Sequence, residues 1–436
     1  AQASTAVGYE AGYAITVGNY NTILGHSALR YEVGGGNSVA IGSAALYTQD
    51  GGDSATAMDN IGIGRNAGYH NVTGTKNTYV GSFAGQGASG NSNSSNVGVG
   101  FQSLKVITTG TENVAIGKDA MLDNNSGASN TAIGTEALAN NTSGGENVAV
   151  GKIALFTNTT TGANTALGYT ALRYNIAAGN TAVGHASLHQ NTSGTENVAV
   201  GLSAAYANTT GLHNTAVGYG ALISNVDGDA NTAIGRKALF TFEADSDGHG
   251  ENTAVGALAA YSLSTGTGNT AVGKNSMTNA TTSDGNVAVG LQAMGLGVVT
   301  GNNNVAVGNG AAYDLTSGYD NVIVGKDAAV NLTSGYENVA LGYATLAQSI
   351  DTVGAIAIGR YAMGAGDVAN NYQIAIGHNA LGELTSGDAN IGIGRSALGV
   401  ATSAHRNLAI GYQALDASVS GDDNIALGHS ALGNLS

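Results

Sequence analysis

Hydrophobic and polar residues follow one short pattern from one end of this chain to the other. The unit begins with Asn130–Ala139, NTAIGTEALA, continues through the turn-like Asn140–Glu146, NNTSGGE, and starts again at Asn147–Ala154, NVAVGKIA. Aligned on the glycine that closes each NxAVG, the chain has 25 such anchor glycines, from Gly8 to Gly428, mostly 17 residues apart. A regularity of this length indicates a tandem-repeat protein.

Each repeat predicts a short β-strand followed by turns. A branched residue precedes the anchor glycine and a small residue, mostly Ala, precedes that, as in Ala132-Ile133. This alternation predicts a strand whose two faces carry side chains of different size. Ala-Leu follows three and four residues after the glycine, as in Ala137-Leu138, and a polar turn then breaks any helix before two turns accumulate. Seventeen residues suit one coil of a solenoid with two short strands and two turns.

The predicted fold class is therefore all-β, a parallel β-solenoid (β-roll) of about 25 coils with a 17-residue repeat. We interpret 1–436 as a single continuous repeat array and as a segment of a longer fibre. Stacking places like residues on like, so we expect the branched column to form the core beside the Leu column. The position four residues before the glycine is mostly Asn, and these asparagines should form an amide ladder.

The Ala column is expected to stay exposed along one side of the solenoid. An apolar stripe of that length is an association surface, so we expect an oligomer with cyclic symmetry about the solenoid axis. At a strand spacing of ~4.8 Å, the stacked coils would extend about 120 Å.

Composition narrows the class of protein. The 436 residues include 69 Gly and no Pro, which fits a chain whose backbone N–H groups donate to a ladder. There is no Cys, hence no disulfide and no thiolate metal site. A formal net charge of −15 argues against nucleic-acid binding, because the phosphate backbone requires a basic face. No apolar run approaches the ~18 residues of a membrane helix, so we expect no membrane insertion.

The repeat motif resembles those of two families of fibre proteins. Asn37–Gly42, NSVAIG, with the many NTAVG and NVAVG copies, resembles the head repeats of YadA-type trimeric autotransporter adhesins. The longer pattern NTAVGxxALxxNTTGxx, at Asn214–Val226 and Asn164–Arg173, is similar to repeats of phage tail fibres. The resemblance covers essentially the whole chain. It implies a left-handed β-roll in each chain, three chains side by side, and an extracellular or virion fibre that reaches toward a cell surface.

The position directly after each anchor glycine, the post-glycine column, is the first candidate site. Its Tyr, His and cations could bind glycans or anionic surface polymers by stacking and hydrogen bonding, and a solvated polar edge is the alternative. The cations of the column include Arg65, Lys118, Lys152, Arg236, Lys274, Lys326, Arg360 and Arg395. The candidate ligand contacts in it are Tyr169, Tyr219, Tyr343 and Tyr412.

Acidic residues often stand five positions before the anchor glycine, and four of them share a coil with a cation six residues later. The pairs are Asp59 with Arg65, Glu112 with Lys118, Glu146 with Lys152, and Asp320 with Lys326. Six residues of extended strand span roughly 20 Å, too far for a pair within one strand. We therefore expect these charges to pair between chains or between neighbouring coils.

Insertions interrupt the period, the larger ones following Gly42 and Gly235. In the second, the run DSDG at 245–248 resembles part of a calcium loop, where hard oxygen ligands alternate along a turn, and a solvated loop is the alternative. Asp245 and Asp247 are therefore candidate ligand contacts. No catalytic constellation or cofactor motif recurs, so we expect neither enzyme activity nor a cofactor.

These observations favour a homotrimeric shaft of a phage tail fibre that attaches to a host cell-surface glycan or protein receptor. The alternative is a bacterial trimeric surface adhesin or cell-surface filament. An ice-binding solenoid would need regular Thr columns, whereas the column three residues before the glycine mixes Thr131 with Val114 and Val148. A polysaccharide-cleaving enzyme would need clustered carboxylates, which only an interface between chains could assemble here.

Overall fold

The structure, a computed structural model, describes residues 3–53, 56–243, 250–365, 371–416 and 421–433. It divides into two compact units, Ala1–His213 and Asn214–Ser436, and consecutive strands within each unit pair in parallel. Within the described ranges no helix is long and apolar enough to cross a membrane.

All strands are three residues long. The first unit contains β1 (Thr5–Val7), β2 (Thr22–Leu24), β3 (Val39–Ile41), β4 (Ile61–Ile63), β5 (Thr78–Val80), β6 (Val97–Val99), β7 (Val114–Ile116), β8 (Thr131–Ile133), β9 (Val148–Val150), β10 (Thr165–Leu167), β11 (Thr181–Val183) and β12 (Val198–Val200). The second contains β13 (Thr215–Val217), β14 (Thr232–Ile234), β15 (Thr253–Val255), β16 (Thr270–Val272), β17 (Val287–Val289), β18 (Val305–Val307), β19 (Val322–Val324), β20 (Val339–Leu341), β21 (Ile356–Ile358), β22 (Ile374–Ile376), β23 (Ile391–Ile393), β24 (Leu408–Ile410) and β25 (Ile425–Leu427).

Equivalent residues of successive strands lie side by side. Ala149 of β9 is the partner of Ala166 of β10, which is the partner of Ala182 of β11. The predicted parallel β-solenoid with a 17-residue repeat is confirmed. The expectation of two strands per coil is wrong, because each coil has one strand and the rest is turns. The Ala-Leu segment is not extended, since residues two and four after the glycine are left-handed, with φ of 58° at Glu136 and 51° at Leu138.

The core of each coil lies between the strand alanine and the leucine four residues after the glycine. Ala166 and Leu172 are fully buried, whereas Leu167 of the branched column is 46% exposed. Burial of the leucines is confirmed, but the expectation that branched residues form the core and alanines stay exposed is wrong. Opposite a leucine the coil has no space for a branched side chain, and the buried Ile23 and Ile323 occur where Gly12 and Ala329 replace leucines. At Gly392, which replaces a strand alanine, an added Cβ would already lie 2.8 Å from Leu381 Cδ1.

The anchor glycines allow successive coils to approach very closely. Gly151 has a φ of 135°, a conformation that residues with a Cβ rarely adopt. A Cβ added to Gly151 would lie 2.4 Å from the carbonyl oxygen of Gly168 in the next coil. The equivalent distance is 2.6 Å at Gly117 and 2.1 Å at Gly325. Glycine at this position of the repeat is therefore a steric requirement of stacking.

The asparagines four residues before the anchor glycines form the predicted amide ladder. Asn113 Oδ1 accepts from the backbone N–H and from the side-chain amide of Asn130, each at 3.1 Å. The same amide donates to the Gly144 carbonyl at 2.9 Å, which ties the strand to the turn of its own coil. These side chains are fully buried, so the ladder satisfies backbone groups that water cannot reach.

A second buried column, seven residues after the anchor glycine, is filled in two ways. In the middle of the first unit it holds asparagine, and Asn141 donates to Asn124 Oδ1 at 2.7 Å and to the Gly144 carbonyl at 2.9 Å. In the second unit it often holds leucine, as at Leu315 and Leu332. Asn141 belongs to one of the Asn-x-Ser/Thr triplets that look like glycosylation sites, but its side chain is fully buried.

The coil of β5 replaces the strand alanine with Tyr79, which is completely buried. Space for the ring comes from Gly68 and Gly85, which replace leucines on the facing column. Added Cβ atoms there would lie 3.1 Å and 2.3 Å from ring carbons of Tyr79. The Tyr79 hydroxyl donates to Asn93 Oδ1, and burial raises the pKa of the phenol. Core volume is therefore conserved across the two facing columns and not at each position.

Replacing an anchor glycine should be far more costly than replacing a glycine with free space around it. We expect Gly151→Ala to lower the free energy of unfolding by more than about 3 kcal/mol, since a strained φ is combined with a backbone clash. Gly90 is the matched control. Its φ is 82°, but nothing lies within 4 Å of an added Cβ, so Gly90→Ala should lose about 1–2 kcal/mol. Equal losses in chemical denaturation would contradict the steric requirement.

The exchange of volume around Tyr79 predicts a compensating pair of substitutions. Tyr79→Ala should cost about 3–5 kcal/mol of unfolding free energy because it leaves a cavity. Adding Gly85→Leu restores the alanine–leucine pair of the other coils, and the left-handed φ of Gly85, 54°, matches that of the leucines. The double variant should recover at least half of the loss in urea denaturation. A double variant less stable than Tyr79→Ala alone would refute the exchange.

Candidate functional site

The post-glycine column follows directly after each strand, where the chain leaves the sheet, and its side chains project from the coil. Tyr169 is 47% exposed, Tyr219 49%, Tyr343 39% and Tyr412 40%. The structure does not gather these four rings into one site, since Tyr169 belongs to the first unit and Tyr343 and Tyr412 lie four coils apart in the second. Each instead has its own neighbours.

Tyrosine in the post-glycine column repeatedly stacks on the histidine of the next coil. The ring centroids of Tyr169 and His185 lie 5.2 Å apart with an interplanar angle of 27°. Tyr412 and His429 show the same arrangement at 5.1 Å and 19°. Stacked aromatic pairs add modestly to stability while leaving one face of the ring available to a ligand.

Tyr343 lies between two cations of its own column. Lys326 Nζ is 5.8 Å and the Arg360 guanidinium carbon 5.6 Å from its ring centroid. Arg360 is also 4.9 Å from the ring centroid of Tyr361, which meets Tyr343 edge to face at 5.3 Å. A hydrogen bond with Arg360, followed by one with Tyr343, lowers the pKa of the Tyr361 phenol. Cations over aromatic rings thus recur in this column, as the sequence pattern indicated.

A second aromatic column, five residues after the anchor glycine and here named the fifth position, was not predicted. Tyr47 and Tyr69 stack there at 4.7 Å and 11°, and His189 and Tyr206 at 5.1 Å and 3°. Arg30 precedes Tyr47 in the same column and donates to its hydroxyl at 3.0 Å. The constant offset of five residues from the anchor glycine is the sequence feature that would have revealed the column.

Among the described residues, none of the four acids named above forms an ion pair with a cation of a neighbouring coil, although Arg406 and Asp423 of neighbouring coils do pair, at 2.7 Å. Lys118 instead bonds to the adjacent Asp119 at 3.0 Å, and Lys326 lies 3.7 Å from the adjacent Asp327. Asp119 is left-handed, with φ of 55°, so the chain turns at this residue instead of extending along a strand. Both cations are more than half exposed, and such pairs contribute little to stability. Pairing between chains stays a prediction.

The two insertions differ in what the structure describes. Asp245 and Asp247 lie outside the described residues. The first insertion is held by Glu32, a fully buried carboxylate that accepts from the backbone N–H of Gly35 and, at 2.9 Å, from that of Gly51. Among the described residues, no three His, Cys, Asp or Glu side chains converge on a point where they could hold a metal ion.

No protein-family model matches the chain, and a search of curated proteins found no match. Function is therefore inferred from the geometry of the columns.

Two partly buried histidines make stability depend on pH. Burial lowers the pKa of His70 and of His189 below the ordinary value of 6.5. The neutral rings therefore stabilise the fold above the unfolded pKa, and this contribution is lost as pH falls through the folded pKa. We expect the denaturation midpoint to decrease as the pH is lowered from 7 to 5. The variant His189→Phe should show a smaller decrease.

The control for this measurement is His26→Phe, because His26 also stacks on a tyrosine, Tyr9, but is exposed. It should leave the slope of the denaturation midpoint against pH close to that of the parent. An unchanged slope in His189→Phe would show that protonation of His189 does not contribute.

Proposed function

We propose that this chain is the structural shaft of an extracellular or virion fibre, such as a phage tail fibre, that assembles from three parallel copies and attaches to a host cell surface. The observation that supports the proposal is the outward face of the strands. This face consists of the branched column and the Thr/Val column three residues before the anchor glycine, and we call it the strand face.

The branched column of the strand face is apolar and at least partly exposed along each unit, beside a column that mixes Thr with Val and Ile. In the first unit Ile133 and Val148 are each 39% exposed and Leu167 is 46% exposed. In the second unit Val322 and Val324 are 40% and 37% exposed. A continuous apolar stripe of this kind is unusual on a monomer and typical of an interface. It takes the place of the alanine stripe that the sequence analysis expected to drive association.

Three copies arranged about an axis would bury one strand face per chain and leave the opposite side of each coil in contact with water. The Ala-Leu segment packs on the inner face of the strand, so its outward side chains lie on that opposite side. Three chains would then offer three copies of every exposed contact, and avidity would far exceed the affinity of one contact. Tyr169, Tyr219, Tyr343 and Tyr412 are the proposed receptor contacts, toward a surface glycan or protein.

The resemblance to both families supports a left-handed coil and a threefold assembly without a catalytic role or cofactor. A bacterial trimeric adhesin or cell-surface filament is the alternative function. It would use the same strand face for assembly, so the two functions differ in the attached domains and the target cell.

Light scattering on the purified chain tests the assembly. We expect a mass near three times 42.9 kDa that resists dilution. Leu167→Glu places a charge on the strand face and should dissociate the assembly or make it sensitive to dilution. Ser193→Glu adds the same charge at an exposed turn and should leave the mass unchanged. A parent that remains a monomer at high concentration would overturn the proposal.

A further inference from the structure

The fifth position holds only alanine or glycine over four successive coils of the second unit. Ala347, Gly364, Gly382 and Gly399 stand where other coils of the same unit carry Phe240, Tyr261 or Tyr313. The φ angle does not require glycine here, because Gly364, Gly382 and Gly399 all lie outside the left-handed region. Gly364 leaves space on the side of the coil opposite the strand face, whereas the side chains of Asn379 and Asp416 lie where side chains on Gly382 and Gly399 would begin.

That space is a groove beside the cations of the post-glycine column. Its main cavity has a volume of about 520 Å³ and is lined by Gln348, Tyr361, Gly364, Ala365 and Asn379. This is within the range of small-molecule sites, roughly 300–1,000 Å³. A second cavity of about 340 Å³ lies farther along the same columns and is lined by Gln413, Asp416, Ser430 and Gly433.

One side of the groove combines aromatic rings with positive charge. Tyr361 lines the cavity and contacts both Tyr343 and Arg360, as described above. Lys326, Arg360 and Arg395 are exposed and lie two coils apart from one another along the post-glycine column. In the part of the chain that the structure describes, neither Arg360 nor Arg395 forms an ion pair with a carboxylate.

We propose that this groove binds an acidic saccharide chain that runs along the stacked coils. Sugar rings have an apolar face that packs on Tyr361, which lines the cavity, and hydroxyl groups that hydrogen-bond to the amides of Gln348 and Asn379. Carboxylates of the saccharide pair with Arg360, whose planar guanidinium recognises them in bidentate fashion.

The charges also set the orientation of the bound chain. Glu383 is exposed in the same column as Gln348 and Ala365, six residues after the anchor glycine. Glu383, together with Asp416 in the second cavity, would repel acid groups on that side. The saccharide carboxylates therefore face Arg360 and Lys326, and the neutral hydroxyls face Glu383. The net charge of −15 disfavours long polyanions and favours recognition of a short segment.

The proposal rests on the receptor-binding part of the proposed function and names its ligand class, but it does not depend on the threefold assembly, since every lining residue belongs to one chain. The groove also lies away from the strand face, so assembly would leave it open. Binding and assembly can therefore fail independently, and solution mass and saccharide affinity report on them separately.

Calorimetry on the full chain, with a galacturonic acid hexamer and its fully methyl-esterified form, tests the site. We expect the acid hexamer to bind with a dissociation constant below about 1 mM, and the neutral ester at least tenfold more weakly. Gly364→Tyr fills the groove and should weaken binding at least tenfold. Arg360→Gln should do the same for the acid hexamer and leave the ester unaffected.

Two control variants separate the groove from general effects. Gly295→Tyr adds the same ring at the fifth position of a coil outside the groove, and Lys76→Gln removes an exposed charge in the first unit. Both should bind the acid hexamer within twofold of the parent. Equal binding of acid and ester would overturn the acidic assignment. Three results would overturn the proposed site. They are loss of binding in Gly295→Tyr, unchanged binding in Gly364→Tyr, and the absence of binding of the acid hexamer to the parent chain.

Discussion

The close contact between stacked anchor glycines is the constraint on which the rest of each unit depends. The carbonyl of Gly168 occupies the space that a Cβ on Gly151 would need, so each coil passes the same point at backbone distance from the next. With that point fixed, the three residues before it must stack as a strand in register. The Asn130 ladder can then bond forward, backward and across its own coil. Glycine is needed for this contact in both conformation and volume.

Much of the fold follows from the period alone, because stacking places equivalent residues in contact. The parallel register, the buried leucines and the asparagine ladder were predictable for this reason. The face of the strand that points into the coil was not predictable. The alternation at Ala132 and Ile133 shows that the two faces differ, but it does not show which of them is buried. Burial of one face is decided by the facing column, because a leucine there leaves space only for alanine or glycine on the strand. The single strand per coil was missed because Leu138 adopts a left-handed conformation that its type disfavours, while its N–H bonds to Ala154 of the next coil at 3.0 Å.

The candidate site could be predicted from the sequence only where a recognisable type of side chain recurs at one position of the repeat. The post-glycine column is visible as a run of Tyr, His and cations, and Tyr343 does lie between two cations. The stacking of Tyr47 on Tyr69 required comparison of residues one repeat apart at a position not otherwise distinguished. The groove is more difficult still to predict from the sequence, because Gly364 contributes to it by lacking a side chain. Lys118 pairs with the adjacent Asp119 because the chain turns at that residue. The estimate of distance along an extended strand could not predict this pair.

The ladder and the glycine contact together make the solenoid tolerant of extra sequence. Gly42 and Gly64 are separated by five residues more than the repeat, yet Val39 of β3 pairs with Ile61 of β4 without a shift. Thr232 of β14 pairs with Thr253 of β15 across the other large insertion in the same way. An added segment that leaves and re-enters at the turn does not disturb the coils above and below. Such a scaffold can acquire new surface loops during evolution one coil at a time, with each trial confined to the coil that carries it.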